Sequence, residues 1–167
     1  MGLPSRQLAL DTNVLLDLAD NEPTVVRFHR LALEKKFSLV VTVTVLRELG
    51  FASMSQENPK LQALAALALS RMHSWQITPL PKNALYVVYA EDFSKMIREM
   101  EILPIHEKND GLILAEASLY GMNILITSDA HFFKIHPDDL SLVFATSQLP
   151  RSVVPLKPAI AINRLIR

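Results

Sequence analysis

Four carboxylates stand out by where they fall. Asp11 directly follows the apolar run Leu8-Ala9-Leu10 and precedes the small polar pair Thr12-Asn13. Asp129 repeats the arrangement, with Ile124-Leu125-Ile126, then Thr127-Ser128, then the acid. Short apolar runs closed by turn-type residues read as buried strands. In an open parallel sheet, ligand chemistry sits just beyond the carboxyl ends of the strands. Glu48 lies at helical spacing from Val45, Leu49, Phe51 and Ala52, on the apolar side of its helix, where an acid is out of place. Asp110 heads an apolar stripe of Ile113, Leu114 and Ala117. Each acid also has a plainer reading. Asp11 and Asp129 suit a turn or a helix cap, and Asn109 or Asp110 suits a cap as well.

If the four acids meet, they repel. Two like charges about 4 Å apart cost about 4 kcal/mol at an effective dielectric near 20. Several such pairs rival a domain's whole stability of about 5–15 kcal/mol. Either some carboxyls keep a proton or a cation joins them. Hard oxygen donors suit Mg²⁺ or Mn²⁺. Such an ion polarises a phosphate oxygen and activates water, which is the chemistry of phosphodiester hydrolysis.

The elements that must position these acids alternate. After the first strand, Val14 to Ala19 reads as a short helix capped by Thr12 or Asn13. Pro23 suits the first turn of a helix running to about Lys36. Phe37 to Thr42 reads as a second buried strand, and Thr42 or Thr44 caps the helix that carries Glu48. Asn58-Pro59 opens a helix to about His73 that is apolar almost all round. Trp75 to Leu80 is a weak strand, and residues 83–102 are helical, with a stripe of Leu85, Val88, Phe93, Met96, Ile97 and Met100. The helix begun at Asn109-Asp110 stops at Gly121. Met122 to Thr127 is a strong strand and Leu140 to Ala145 a last one. The tail beyond, with Pro150, Pro155 and Pro158, fits no element. Strands alternating with helices imply an α/β domain with a mostly parallel sheet.

Composition narrows the function. The chain's 167 residues suit one domain, with a core of about residues 7–146 and a tail over 147–167. Half the residues are hydrophobic and the formal net charge is zero, which argues against a disordered chain and against a generic charge-driven nucleic-acid binder. With no cysteine, thiolate metal sites, disulfides and Cys nucleophiles are excluded. The sequence has no signal-like apolar segment at its start and no apolar run of membrane-spanning length, so a cytoplasmic location is expected.

Four stretches together carry a resemblance: Leu8 to Leu16, Val45-Leu46-Arg47-Glu48-Leu49, Asn109 to Ala117, and Ile124 to Phe132. In this order and spacing the chain resembles a PIN domain and is similar to the VapC-type toxin ribonucleases over roughly residues 8–133. The resemblance implies an α/β/α sandwich around a mostly parallel sheet. It implies that Asp11, Glu48, Asp110 and Asp129 bind Mg²⁺ or Mn²⁺ and cleave RNA with activated water. It implies supporting roles for Thr12, Asn13, Thr127 and Ser128. It also implies a homodimer and, for toxin members, an antitoxin that blocks the acidic pocket. The chain is longer than a compact toxin around residues 58–100 and past Ala145.

Arg47, Lys108, His131 and Lys134 flank the acids in sequence and are candidate phosphate contacts, each with a plain surface reading beside it; for His131 the solvent-facing reading is favoured. After Asp139 no acid follows, yet Arg151, Lys157, Arg164 and Arg167 do. That basic tail suits a phosphate backbone or a surface on which Ile160, Ile162 and Leu165 pack. Two other functions compete. One is an inactive PIN-like module that binds RNA or protein. The other is a phosphatase of the haloacid-dehalogenase type, but that chemistry wants an acid two residues after Asp11, where Asn13 stands. Asp17, Asp20, Glu34, Glu99 and Asp138 read as solvated surface.

Overall fold

The apolar runs beside the acids form strands of one parallel sheet. The computed structural model describes residues 6–166, without the side chains of residues 165 and 166. Strands β1 (Gln7–Leu10), β2 (Ser38–Val41), β3 (Ile77–Pro79), β4 (Ile124–Ile126) and β5 (Val154–Leu156) lie in the order β3-β2-β1-β4-β5. All four pairings are parallel. Leu8, Ala9, Leu10, Leu39, Val40, Val41, Leu125 and Ile126 are buried. Strands apolar on both sides must be covered on both faces, and helices do so in a three-layer α/β/α sandwich.

The strand order opens a crevice at one end of the sheet. The chain adds β2 and then β3 on one side of β1, returns, and adds β4 and β5 on the other side. The order reverses between β1 and β4, and the crevice beyond their carboxyl ends is where such sheets bind ligands. Asp11 and Asp129 stand there.

Helices α1 (Thr12–Ala19) and α2 (Pro23–Glu34) follow β1, and α3 (Val43–Met54) and α4 (Pro59–Arg71) follow β2. Helices α5 (Ala84–Glu99) and α6 (Lys108–Leu119) lead to β4. Then α7 (Ala130–Lys134) and α8 (Pro137–Thr146) lead to β5, and α9 (Pro158–Ile166) packs on α2. As expected, Thr42 caps α3, Asn58 caps α4, and Gly121, at φ +81°, ends α6. The cap of α1 is neither Thr12 nor Asn13 but Asp11 itself.

Three further expectations change. Leu140–Ala145 is not a strand but most of α8. Pro137 at its first turn, the His136 ring accepting from the Asp138 backbone N–H, and two acids in the first turn start a helix. Leu140, Val143 and Phe144 then bury at helical spacing. The tail holds β5 and α9, with Ala161 and Ile162 buried and Ile160 exposed, while the side chain of Leu165 and all of Arg167 lie outside the described residues. On α5 the buried residues are Ala90, Phe93, Ser94 and Ile97, whereas Leu85, Val88 and Met100 are exposed.

Helix α6 is buried from Asp110 to Ser118. It lies close against α5, where the Ser94 hydroxyl donates to the Lys108 carbonyl at 2.7 Å. Its buried Glu116 accepts from the Thr44 backbone N–H and hydroxyl, at 3.0 and 2.9 Å, and so ties α6 to the first turn of α3. Among the described residues no helix is long and apolar enough to cross a membrane.

Gly111 permits the α5–α6 approach. A Cβ there would fall 2.7 Å from Ser94 Oγ and 2.9 Å from Ser94 Cα. Alanine is intrinsically better in a helix by about 1 kcal/mol, but overpacking costs about 1–3 kcal/mol. Gly111→Ala is therefore expected to lower the thermal unfolding midpoint, and an unchanged or higher midpoint would contradict this packing.

Candidate functional site

Asp11 is bound into the fold from three sides. Its backbone N–H donates to Ile126 of β4 at 3.0 Å, which couples the ends of β1 and β4. Its Oδ1 accepts the Thr12 backbone N–H at 2.7 Å. Its Oδ2 accepts the Thr127 hydroxyl at 2.6 Å and the Asn13 amide at 2.9 Å. Asn13 Oδ1 in turn accepts the Ser128 backbone N–H at 3.0 Å, and Thr127 Oγ1 accepts the Asp129 backbone N–H at 3.0 Å. The two strand-end loops thus hold one another through Asn13 and Thr127. Burial pushes the Asp11 carboxyl up to about 6, against the pull of the Thr127 and Thr12 hydrogen bonds, and Glu48 and Asp129 add to the rise.

Glu48 reaches the same place from α3. One of its oxygens accepts the Thr12 hydroxyl and the other accepts the Asn109 amide at 2.7 Å. The Arg47 guanidinium donates to Asn109 Oδ1 at 3.3 Å, so Arg47 acts on Glu48 through Asn109.

Asp110 enters from the first turn of α6 and is 7% exposed. Burial pushes its carboxyl up to about 8, and Asp11, Asp129, Glu107 and Glu48 all add to the rise. The four acids expected to converge therefore do lie in one electrostatic neighbourhood. Asp129 caps the short α7 by accepting the His131 backbone N–H at 2.8 Å.

The structure relocates several flanking residues. His131 does not simply face solvent: its Nδ1 lies 3.2 Å from Glu107, 3.3 Å from Asp129 and 3.9 Å from Asp110. Lys108 points to Glu91 on α5, 2.8 Å away. Lys134 is exposed and lines a groove with Arg98, Ile105 and His131. Lys157 sits over the Phe133 ring, 5.0 Å from its centre. Asp17, read as surface, is partly buried beside Ser128, and burial raises its carboxyl, with Glu22 and Asp20 adding to the rise. Sequence reading missed Glu107 and Asn109. Glu107 lies three residues before Asp110, one helical turn away, and that spacing was the available signal.

The donors suit a divalent cation. Asp110 Oδ2 and His131 Nδ1 are buried without a hydrogen-bond partner. Buried polar atoms are normally satisfied, and a cation would satisfy both.

A family model for the PIN domain matches residues 8–136. The chain belongs to the PIN-domain family. Its fold is similar to that of two solved structures. VapBC2 from Rickettsia felis, bound to a DNA fragment from their promoter, aligns with a TM-score of 0.58 at 20% identity, over 90% of this chain and 98% of that one. VapBC-1 from nontypeable Haemophilus influenzae, solved at 2.2 Å, aligns with a TM-score of 0.58 at 17% identity, over 91% and 98%. No curated protein sequence matches the chain.

The raised carboxyls give a pH test. In the unfolded chain both aspartates titrate near 3.8, but in the folded chain near 6 and 8. The folded state holds these protons more tightly, so stability is lost as pH rises from about 4 through 6 to 8. With a chelator present, the thermal midpoint is expected to fall over that window, and added Mn²⁺ to raise it more at pH 8 than at pH 5. Asp110→Asn should flatten the fall. A midpoint that climbs over the same window would contradict the buried, crowded acids.

Proposed function

We propose that this PIN-domain protein is a metal-dependent endoribonuclease of the cytoplasm. PIN-domain proteins are typically nucleases. The observation that carries the reading is the convergence of Asp11, Glu48, Asp110 and Asp129 at the reversal of strand order, with Asp110 pushed up to about 8. Acids so placed favour a site completed by a cation.

Asp11, Asp110 and Asp129 would hold Mg²⁺ or Mn²⁺. The ion, when bound, supplies polarisation of the scissile phosphate and a water made more acidic. Asn13 and Thr127 keep the Asp11 carboxylate aimed, and Thr12 backs Asp11 and Glu48 at once. Ser128 steadies Asn13. Glu48, clamped between Thr12 and Asn109, is placed to orient the attacking water. Arg47, exposed at the rim, serves as a phosphate contact, as does Lys134. Lys108, paired with Glu91, is the weakest of the proposed contacts.

The solved VapBC complexes support an antitoxin partner for this chain, and a homodimer is proposed beside it. The exposed apolar residues Phe51 and Met54, near the end of α3, suit such contacts.

Loss of an outer partner of a metal ligand typically costs about 10–100-fold in affinity or activity. Asp11→Asn, which removes the proposed ligand itself, is expected to cost more in cleavage of single-stranded RNA with Mg²⁺. The same change relieves repulsion, so the thermal midpoint should hold or rise. Cleavage by Asp11→Asn at the wild-type rate would sink the assignment.

A further inference from the structure

The donors set closest together in this region are not the four acids. Among the described residues, Glu107, Asp110 and His131 each place a ligating atom within 4.8 Å of the others. His131 Nδ1 is 3.2 Å from Glu107 Oε1 and 3.9 Å from Asp110 Oδ2. Ligands about 2.1 Å from one ion are about 3.0 Å apart at octahedral angles and about 3.4 Å apart at tetrahedral ones. The 3.2 Å spacing matches such an edge, while the 3.9 Å spacing must close by about 0.5–0.9 Å on binding.

A second observation is independent of that spacing. Asp110 is 7% exposed, and its Oδ2, the atom facing His131, is itself buried and has no hydrogen-bond partner. His131 Nδ1 is buried and unpartnered too, although two further carboxylates are nearby. Glu107 stands at the N-cap of α6 but makes no capping hydrogen bond with its side chain, so its carboxylate is not committed to the helix. Glu107 Oε1 also lies 3.2 Å from Nε2 of the exposed His106.

We propose that Glu107, Asp110 and His131 form a second divalent-cation position that shares Asp110 with the four-acid pocket and, through its imidazole, takes Mn²⁺ in preference to Mg²⁺. Imidazole suits first-row transition metals, whereas Mg²⁺ is held by oxygen donors. Asp129 Oδ1 already accepts the His131 backbone N–H and so fixes the backbone from which the imidazole extends. The alternative is a protonated His131 that acts only as a counter-charge to the acids. The inference rests on the metal-dependent reading of the pocket, and the two are separable by experiment.

The test counts Mn²⁺ bound to the full chain by electron paramagnetic resonance and reads nitrogen-coupled modulation from a ligating imidazole. The wild type is expected to bind two ions and to give the nitrogen signal. His131→Gln should bind one ion and lose the signal. Glu107→Gln should weaken the same ion, while Arg30→Gln, at an exposed position on α2 paired only with Glu34, should leave both unchanged. A wild type without nitrogen coupling, or His131→Gln that keeps both ions, overturns the proposal and leaves the counter-charge. RNA cleavage in Mg²⁺ is scored apart. A chain that cleaves RNA but gives no nitrogen signal keeps the nuclease reading and loses this inference. A chain that gives the signal but cleaves no RNA does the reverse.

Discussion

Repulsion among carboxylates confined to one crevice is the constraint to which the rest of the structure answers. Asp11 and Asp110 are both buried, Glu48 and Asp129 add to the cost of ionising each of them, and Asp11 adds to that of Asp110. A fold built for stability alone would place neutral residues there. The surrounding hydrogen bonds reduce the cost for Asp11, which accepts from Thr12, Asn13 and Thr127, but leave Asp110 Oδ2 with no partner. That imbalance is what the proposed cation would relieve.

The sheet makes such confinement workable. Parallel strands end together, so a reversal of strand order opens a crevice at one edge of a rigid layer. The backbone bond from Asp11 to Ile126 fixes the distance between the two loops that carry Asp11 and Asp129. Helix α6, buried along most of its length and pressed onto α5 at Gly111, delivers Asp110 without freedom to retreat. Glu116, on the same helix, is also a buried acid, but the first turn of α3 satisfies it fully, with Thr44 donating to both of its oxygens. The contrast between Glu116 and Asp110 separates a structural acid from one left open to a ligand.

The strands that flank the site were legible because they are apolar on both faces and end in turn residues, as at Leu10-Asp11 and Ile126-Thr127. The two edge strands were weak or invisible for a physical reason. Both carry proline, Pro79 in β3 and Pro155 in β5, which an edge tolerates and a sequence pattern reads as a break. Leu140-Ser141-Leu142 imitates strand alternation, but the cap at His136-Pro137 decides for a helix, and Leu142 faces solvent. Asp11, Glu48, Asp110 and Asp129 were legible as acids in apolar surroundings. Residues that hold or flank them were less so, because their partners are distant in sequence. Nothing local turns Lys108 toward Glu91 or brings Asn109 to Glu48. His131 was read as solvent-facing since only the folded chain sets it against Glu107.

The central claim is that the acidic crevice is a cation site, and diffraction addresses it directly. Crystals soaked in Mn²⁺ and measured at the manganese absorption edge are expected to give an anomalous peak about 2.2 Å from carboxylate oxygens of Asp11 and Asp110. A fully soaked crystal with its manganese peaks elsewhere, and Asp11 still bound only to Thr12, Asn13 and Thr127, would contradict the account.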